Sequence, residues 1–179
     1  LWVCTNVDVL WARRLLGPAD AGRYLIAAGT ALGLVSLGQT VLWSQLRLAV
    51  TPAHCLRLAF RSGALVAAVS LLAVPLGAVL LPRLMGPDFD GMLGLLVATS
   101  VSAVIATTAL SLSSAVLVRR GRALRSVMAV APIAVFVPWL VINVAGATPV
   151  HLALAAAVNA LLAVMVLVVA SSGRRGLSW

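Results

Sequence analysis

Long uncharged apolar runs separated by short polar turns set the pattern of this chain. Residues 24–46, 62–82 and 91–118 contain no charged residue. As helices rising about 1.5 Å per residue, each is long enough to cross a hydrocarbon core about 30 Å thick. From Ser126 to Gly173 there is neither arginine nor aspartate. One helix of that length would measure about 72 Å, so the stretch must fold back once. Asn143-Val144-Ala145-Gly146-Ala147-Thr148-Pro149 carries the turn residues near its middle and places the reversal there. The runs are continuous and rich in Leu, Ala and Val, without the alternation of barrel strands. The expectation is an all-α integral membrane protein. It is a six-helix bundle with spans at about 1–16, 24–46, 62–82, 92–118, 126–145 and 150–170. Only twelve residues precede Arg13 in the first run, about 18 Å of helix. That span reads as the truncated outer part of a helix. It lacks the positive n-region and the small-residue cleavage site of a signal peptide.

Composition sharpens this picture. Hydrophobic residues make up 63% of the chain, charged residues 9%, and the mean hydropathy is +1.13. A soluble domain carries about a quarter charged residues. The net charge of +9 comes from arginine alone, with no lysine and no glutamate. Because the arginines sit between apolar runs, they read as topology signals and headgroup contacts rather than as a nucleic-acid surface. Nine arginines lie in the loops after the second, fourth and sixth spans, and four in the loops after the first, third and fifth. The positive-inside rule then places the C-terminus in the cytoplasm. Arg13 and Arg14 fall on the opposite side, where they either snorkel to the headgroups or face a polar cavity.

Between the second and third spans, Thr51-Pro52 has the form of an N-cap and first-turn proline. His54, Arg57 and Arg61 follow at helical spacing, which predicts a short interfacial helix over about 52–61. Arg83 to Gly91, with its Gly-Pro-Asp sequence, reads as a turn, with cation binding by Asp88 and Asp90 as the alternative. Cys4 and Cys55 lack metal or redox spacing and read as small apolar side chains. His54 and His151 fall on opposite sides of the membrane. No nucleophile, metal-ligand or phosphate-loop motif is present, so neither an enzyme nor a metal or cofactor site is expected.

Polar groups inside the spans are the candidate functional residues. Asp8 lies about 12 Å below the end of the first run. A carboxylate at that depth is costly and is commonly kept for a purpose. Asn6, Gln39, Thr40, Asn143 and Asn159 are its candidate partners. A packing role and an ion- or substrate-binding role both stand for Asp8, and the same holds for Asn159. The many serines and threonines of the fourth span serve either close packing or a wet cavity. Pro75, Pro132 and Pro138 predict kinks.

Asn6-x-Asp8, then Leu16-Gly17, then Ala21-Gly22-x-Tyr24 forms a recurring pattern of one known group. So do Gly86-Pro87-x-Phe89 before the fourth span and Arg119-Arg120-Gly121-Arg122 after it. In these features and in the order of its spans the chain resembles the multidrug/oligosaccharidyl-lipid/polysaccharide exporter superfamily. It looks most like the C-terminal half of a bacterial polysaccharide or lipid-linked oligosaccharide flippase. The family's proline near the cytoplasmic end of the second helix has no counterpart in Leu42-Trp43-Ser44-Gln45-Leu46-Arg47. The resemblance implies two six-helix bundles that rock about a central cavity. It implies export of a polyprenyl-diphosphate-linked glycan across the bacterial cytoplasmic membrane by alternating access. By that carry-over Asp8, Arg13 and Arg14 are the cavity candidates, and Gln39 and Asn159, singled out above as polar residues within the spans, complete the expected substrate or ion pathway. The partners would be the lipid-linked glycan, membrane lipids and a second six-helix half, the missing N-terminal part of such a protein. Three other readings remain open at the sequence level: a drug–cation antiporter half, a membrane enzyme of glycan assembly, and an inactive membrane fragment.

Overall fold

The computed structural model describes residues 7–46, 52–120, 140, 146 and 148–172. Five α-helices occupy them: α1 (Val7–Leu15), α2 (Pro18–Leu46), α3 (Pro52–Met85), α4 (Leu93–Arg120) and α5 (Pro149–Ser172). A 3-10 turn, Pro87–Phe89, links α3 to α4. Among the described residues there is no strand. Helices α2, α3 and α4 each contain a stretch long and apolar enough to cross a membrane, and α5 adds the shorter apolar stretch Pro149–Leu162. Large apolar side chains such as Leu71, Leu72 and Leu84 are exposed on the outside, as contact with lipid requires and contact with water would penalise. The described residues are thus helical apart from short turns and carry the apolar helices of a membrane-embedded protein. The expected fifth span lies outside the described residues except for Leu140, as do Asn6, Asn143, Pro132, Pro138, Cys4 and the basic turn after Arg120.

Local chemistry explains where the helices begin. Helix α2 starts at Pro18, whose fixed φ and missing N–H suit the first helical position. Asp20 in its first turn complements the helix dipole. The polar stretch after Gly17, which lies between the expected spans 1–16 and 24–46, is therefore already helical. Gly86 ends α3 with φ +103°, a conformation that strains any residue with a Cβ. Thr148 caps α5: its Oγ1 accepts the backbone N–H of His151 at 3.2 Å, with Pro149 at the first helical position. Gly146 before it has φ +83°, which fits the reversal expected between residues 143 and 149.

Helix α3 differs from expectation in length. Residues 52–61 are continuous with the third span, and the helix runs unbroken through Pro75 and Pro82 for 34 residues. That is about 51 Å of helix, so about 20 Å project past a 30 Å hydrocarbon core. Leu58, Ala59 and Ser62 are buried while Arg57, Phe60 and Arg61 are exposed. Tertiary packing of this inner stripe holds the projecting turns in line with the rest of the helix.

Helix α4 is the central element, packed against α2, α3 and α5. It is accordingly buried on several sides by small residues, among them Ala103, Ala106, Thr107, Ala109 and Ser111. Two glycines on its neighbours set the approach distance. A Cβ at Gly38 would overlap Thr107 Cγ2 and sit 2.9 Å from Val66 Cγ2. A Cβ at Gly63 would overlap Thr108 Oγ1. Backbones come this close only where one side has no side chain. At the other end, Ala12 of α1 enters a cluster with Tyr24, Ala27, Ala28, Leu95, Leu152 and Ala153.

Thr107 is fully buried, and its Oγ1 has no hydrogen-bond partner among the described residues. A buried polar atom left unpaired costs about 1–3 kcal/mol. Thr107→Val keeps the shape and removes that atom. It is expected to stabilise the bundle by about 1 kcal/mol, read as a raised unfolding midpoint in detergent.

Candidate functional site

A groove of about 380 Å³ opens between α2, α4 and α5. Along α2 it is lined from Tyr24 to Trp43, about 28 Å of helix and nearly the thickness of the hydrocarbon core. Its α4 wall includes Thr99, Ser102 and Ala106, and its α5 wall Ala153 and Ala156. Small residues on α4 and α5 leave the space that the larger side chains of α2 do not fill. The groove is mostly apolar, with Ser36, Gln39 and Thr40 toward the C-terminal half of α2 and Thr99 and Ser102 on the α4 wall. Ser36 Oγ donates to the Leu32 carbonyl at 2.9 Å and Thr40 Oγ1 to the Ser36 carbonyl at 2.9 Å. Their donor capacity is used within the helix, so what they present to the groove is acceptor oxygen.

Gln39 is the one amide on this wall among the described residues. Its Nε2 donates to Ser111 Oγ at 3.5 Å, a long contact. Ser111 Oγ lies 2.9 Å from Ser62 Oγ across α3 and α4, and Ser62 Oγ donates to the Ala59 carbonyl at 2.9 Å. A chain of polar contacts therefore leads from the groove wall into the three-helix junction. Such contacts between helices serve close packing in a medium that offers no water.

The candidate residues are distributed along the bundle. Arg13 and Arg14 are exposed in the last turn of α1, at the end where the turns at Gly17 and Gly86 lie. Gln39 sits about 31 Å further along α2 from Pro18. Asn159 is buried about 15 Å from the start of α5 and does not line the groove. Asp8 is in the first turn of α1, and its side chain lies outside the described ones. The fold thus spreads the candidates along the bundle and, among the described side chains, places Gln39 and Thr40 on the groove wall. Of the fourth span's hydroxyls, Thr99 and Ser102 reach the groove, whereas Thr107 and Ser111 are fully buried in the junction.

Arg23 has a role that loop counting does not show. Its Nε donates to the Asp88 backbone carbonyl, and Nη1 lies 3.6 Å from Asp20 Oδ1. It ties the start of α2 to the turn between α3 and α4. The Ser62–Ser111 pair was likewise hidden in the sequence. Only the small residues around it, Gly38 and Gly63, mark a place where helices come close.

No protein-family model, no curated protein and no solved structure matches this chain. Among the described residues there is no group of three or more His, Cys, Asp or Glu that could hold a metal ion.

Proposed function

We propose that the chain is one six-helix half of a membrane transporter that flips or exports a polyprenyl-diphosphate-linked glycan by alternating access. The observation that carries this reading is the groove along α2. It has the length of a membrane leaflet pair, an apolar body for an isoprenoid chain, and a polar stretch at Ser36, Gln39 and Thr40. It is bounded by one bundle only, so a second half facing it would convert it into a central cavity. Arg13 and Arg14, exposed at the upper end, supply bidentate donors suited to a diphosphate. Asp8 would couple an ion to rocking if that ion binds one state better than the other. The membrane would be the bacterial cytoplasmic membrane, with the C-terminus inside. An antiporter of cationic drugs would place carboxylates on the cavity wall. The described lining of the groove holds none.

The test is binding by the purified chain in nanodiscs. A polyprenyl-diphosphate oligosaccharide is compared with the uncharged polyprenol of the same length. Preference for the diphosphate by about tenfold or more is expected from charge-assisted contacts. Equal retention of the two lipids would remove the substrate reading.

A further inference from the structure

The exposed face of α3 carries a second pattern, unrelated to the groove on α2. Arg57, Arg61, Ala64, Ala68, Leu71 and Pro75 are all exposed and recur at the three- and four-residue steps of one helix face. The charge on this face stops at Arg61 and resumes at Arg83. The 21 intervening residues measure about 31 Å, the thickness of a hydrocarbon core. Arg57 and Arg61, one turn apart, therefore stand at the level of lipid phosphates, with His54 one turn further out. Phe60 lies beside them, 61% exposed, at the depth where aromatic rings favour the interface.

Directly inward of these residues, a groove of about 340 Å³ separates α3 from α4. Ala67, Leu71, Val74, Val97, Val101 and Val104 line it. Its α3 wall lies on the same stripe as Phe60 and Ala64, and it begins about 9 Å deeper than Arg61. Ala64 stands between the arginines and the groove, and its single methyl group is too short to block the path. Ser70 donates its hydroxyl to the Val66 carbonyl at 2.7 Å, so its hydrogen is not offered to the groove. A cationic pair at headgroup depth, a low step and an apolar channel along the membrane normal match one class of ligand.

We propose that this face is a binding site for a single anionic phospholipid of the leaflet at the α3 N-terminal end. Its phosphate sits between Arg57 and Arg61, and one acyl chain passes over Ala64 into the α3–α4 groove. The site depends only on the membrane embedding of α3 and α4, so it stands or falls separately from the transport reading. The exposed arginine pair and the groove that opens inward of it distinguish this face from the rest of the apolar surface.

Native mass spectrometry of the full chain, released from nanodiscs of equimolar phosphatidylglycerol and phosphatidylcholine, tests the proposal. The unmodified protein is expected to retain phosphatidylglycerol over phosphatidylcholine by about tenfold, an effect of two arginines near an anionic surface. Arg57→Gln with Arg61→Gln should bring the ratio close to one. Ala67→Phe, which fills the groove and keeps both arginines, should lower retention of phosphatidylglycerol severalfold. Val101→Phe should do the same from the α4 side. An unchanged ratio in the double arginine variant would overturn the headgroup assignment. Undiminished retention in both phenylalanine variants would overturn the acyl-chain path. The substituted arginines are exposed, and circular dichroism of each variant reports helix content.

Discussion

Gly38→Ala is expected to destabilise the bundle by about 1–3 kcal/mol, the usual range for adding a methyl group to a filled interior. The new Cβ would overlap Thr107 Cγ2 and stand 2.9 Å from Val66 Cγ2. Both neighbours are β-branched, so neither χ1 turns away without entering a poorer rotamer. Both are also fully buried, which leaves no free space for them to occupy. Relief must come from moving α2 away from α3 and α4, and this would strain the Gln39–Ser111 contact. Gly63→Ala presses in the same way on Thr108 Oγ1. That hydroxyl donates to the Val104 carbonyl at 2.9 Å, so turning it aside breaks a hydrogen bond. By contrast, nothing lies within 4 Å of a Cβ at Gly29 or Gly33. Alanine there should be neutral or slightly stabilising through its better helix propensity. Unfolding midpoints of the four single variants in one detergent check this. Equal effects at Gly38 and Gly29 would show that close approach at Gly38 does not hold the three helices together.

On the transport reading proposed above, Arg13→Gln with Arg14→Gln is expected to weaken binding of a polyprenyl-diphosphate glycan by about tenfold, removing its preference over the uncharged lipid. The reason is chemical. Guanidinium groups present parallel N–H donors that match the paired oxygens of a diphosphate. Both side chains are exposed, so their replacement leaves the cluster around Ala12 and Tyr24 intact. Glutamine keeps length and hydrogen-bonding capacity, which isolates the charge. Affinity for the uncharged polyprenol should stay as it was. A loss of affinity for both lipids would assign the arginines to membrane placement rather than to the diphosphate. Arg23 is unsuited to this experiment, because it holds the Asp88 carbonyl and pairs with Asp20.

Which residues form the long helices was legible without any structure. The uncharged runs at 24–46, 62–82, 92–118 and 150–170 fall within α2, α3, α4 and α5 to within one residue. A lipid medium leaves a spanning segment no choice but to satisfy its backbone internally, so length and apolarity suffice to locate it. The turn chemistry of Gly86-Pro87 and Thr148-Pro149 was legible because those residues act locally.

Which side of each helix faces what had to wait for the packed bundle. In water, the core face is apolar and the outer face polar, and periodicity separates them. Here both the lipid face and the packed face are apolar, so Leu71, exposed to the outside, and Leu42, fully buried, look alike in the sequence. The sorting is done by shape. Gly38 and Gly63 admit α4, and α4 with its small residues becomes the centre. Gln39 is thereby turned toward Ser111 and the groove, while Asn159 is buried away from it. The projecting turns of α3 obey the same logic. Residues 52–61 look like a separate interfacial helix because their charge differs from the span that follows. Leu58, Ala59 and Ser62 instead continue a single packed stripe, and continuity of packing, which no local pattern records, keeps the helix whole.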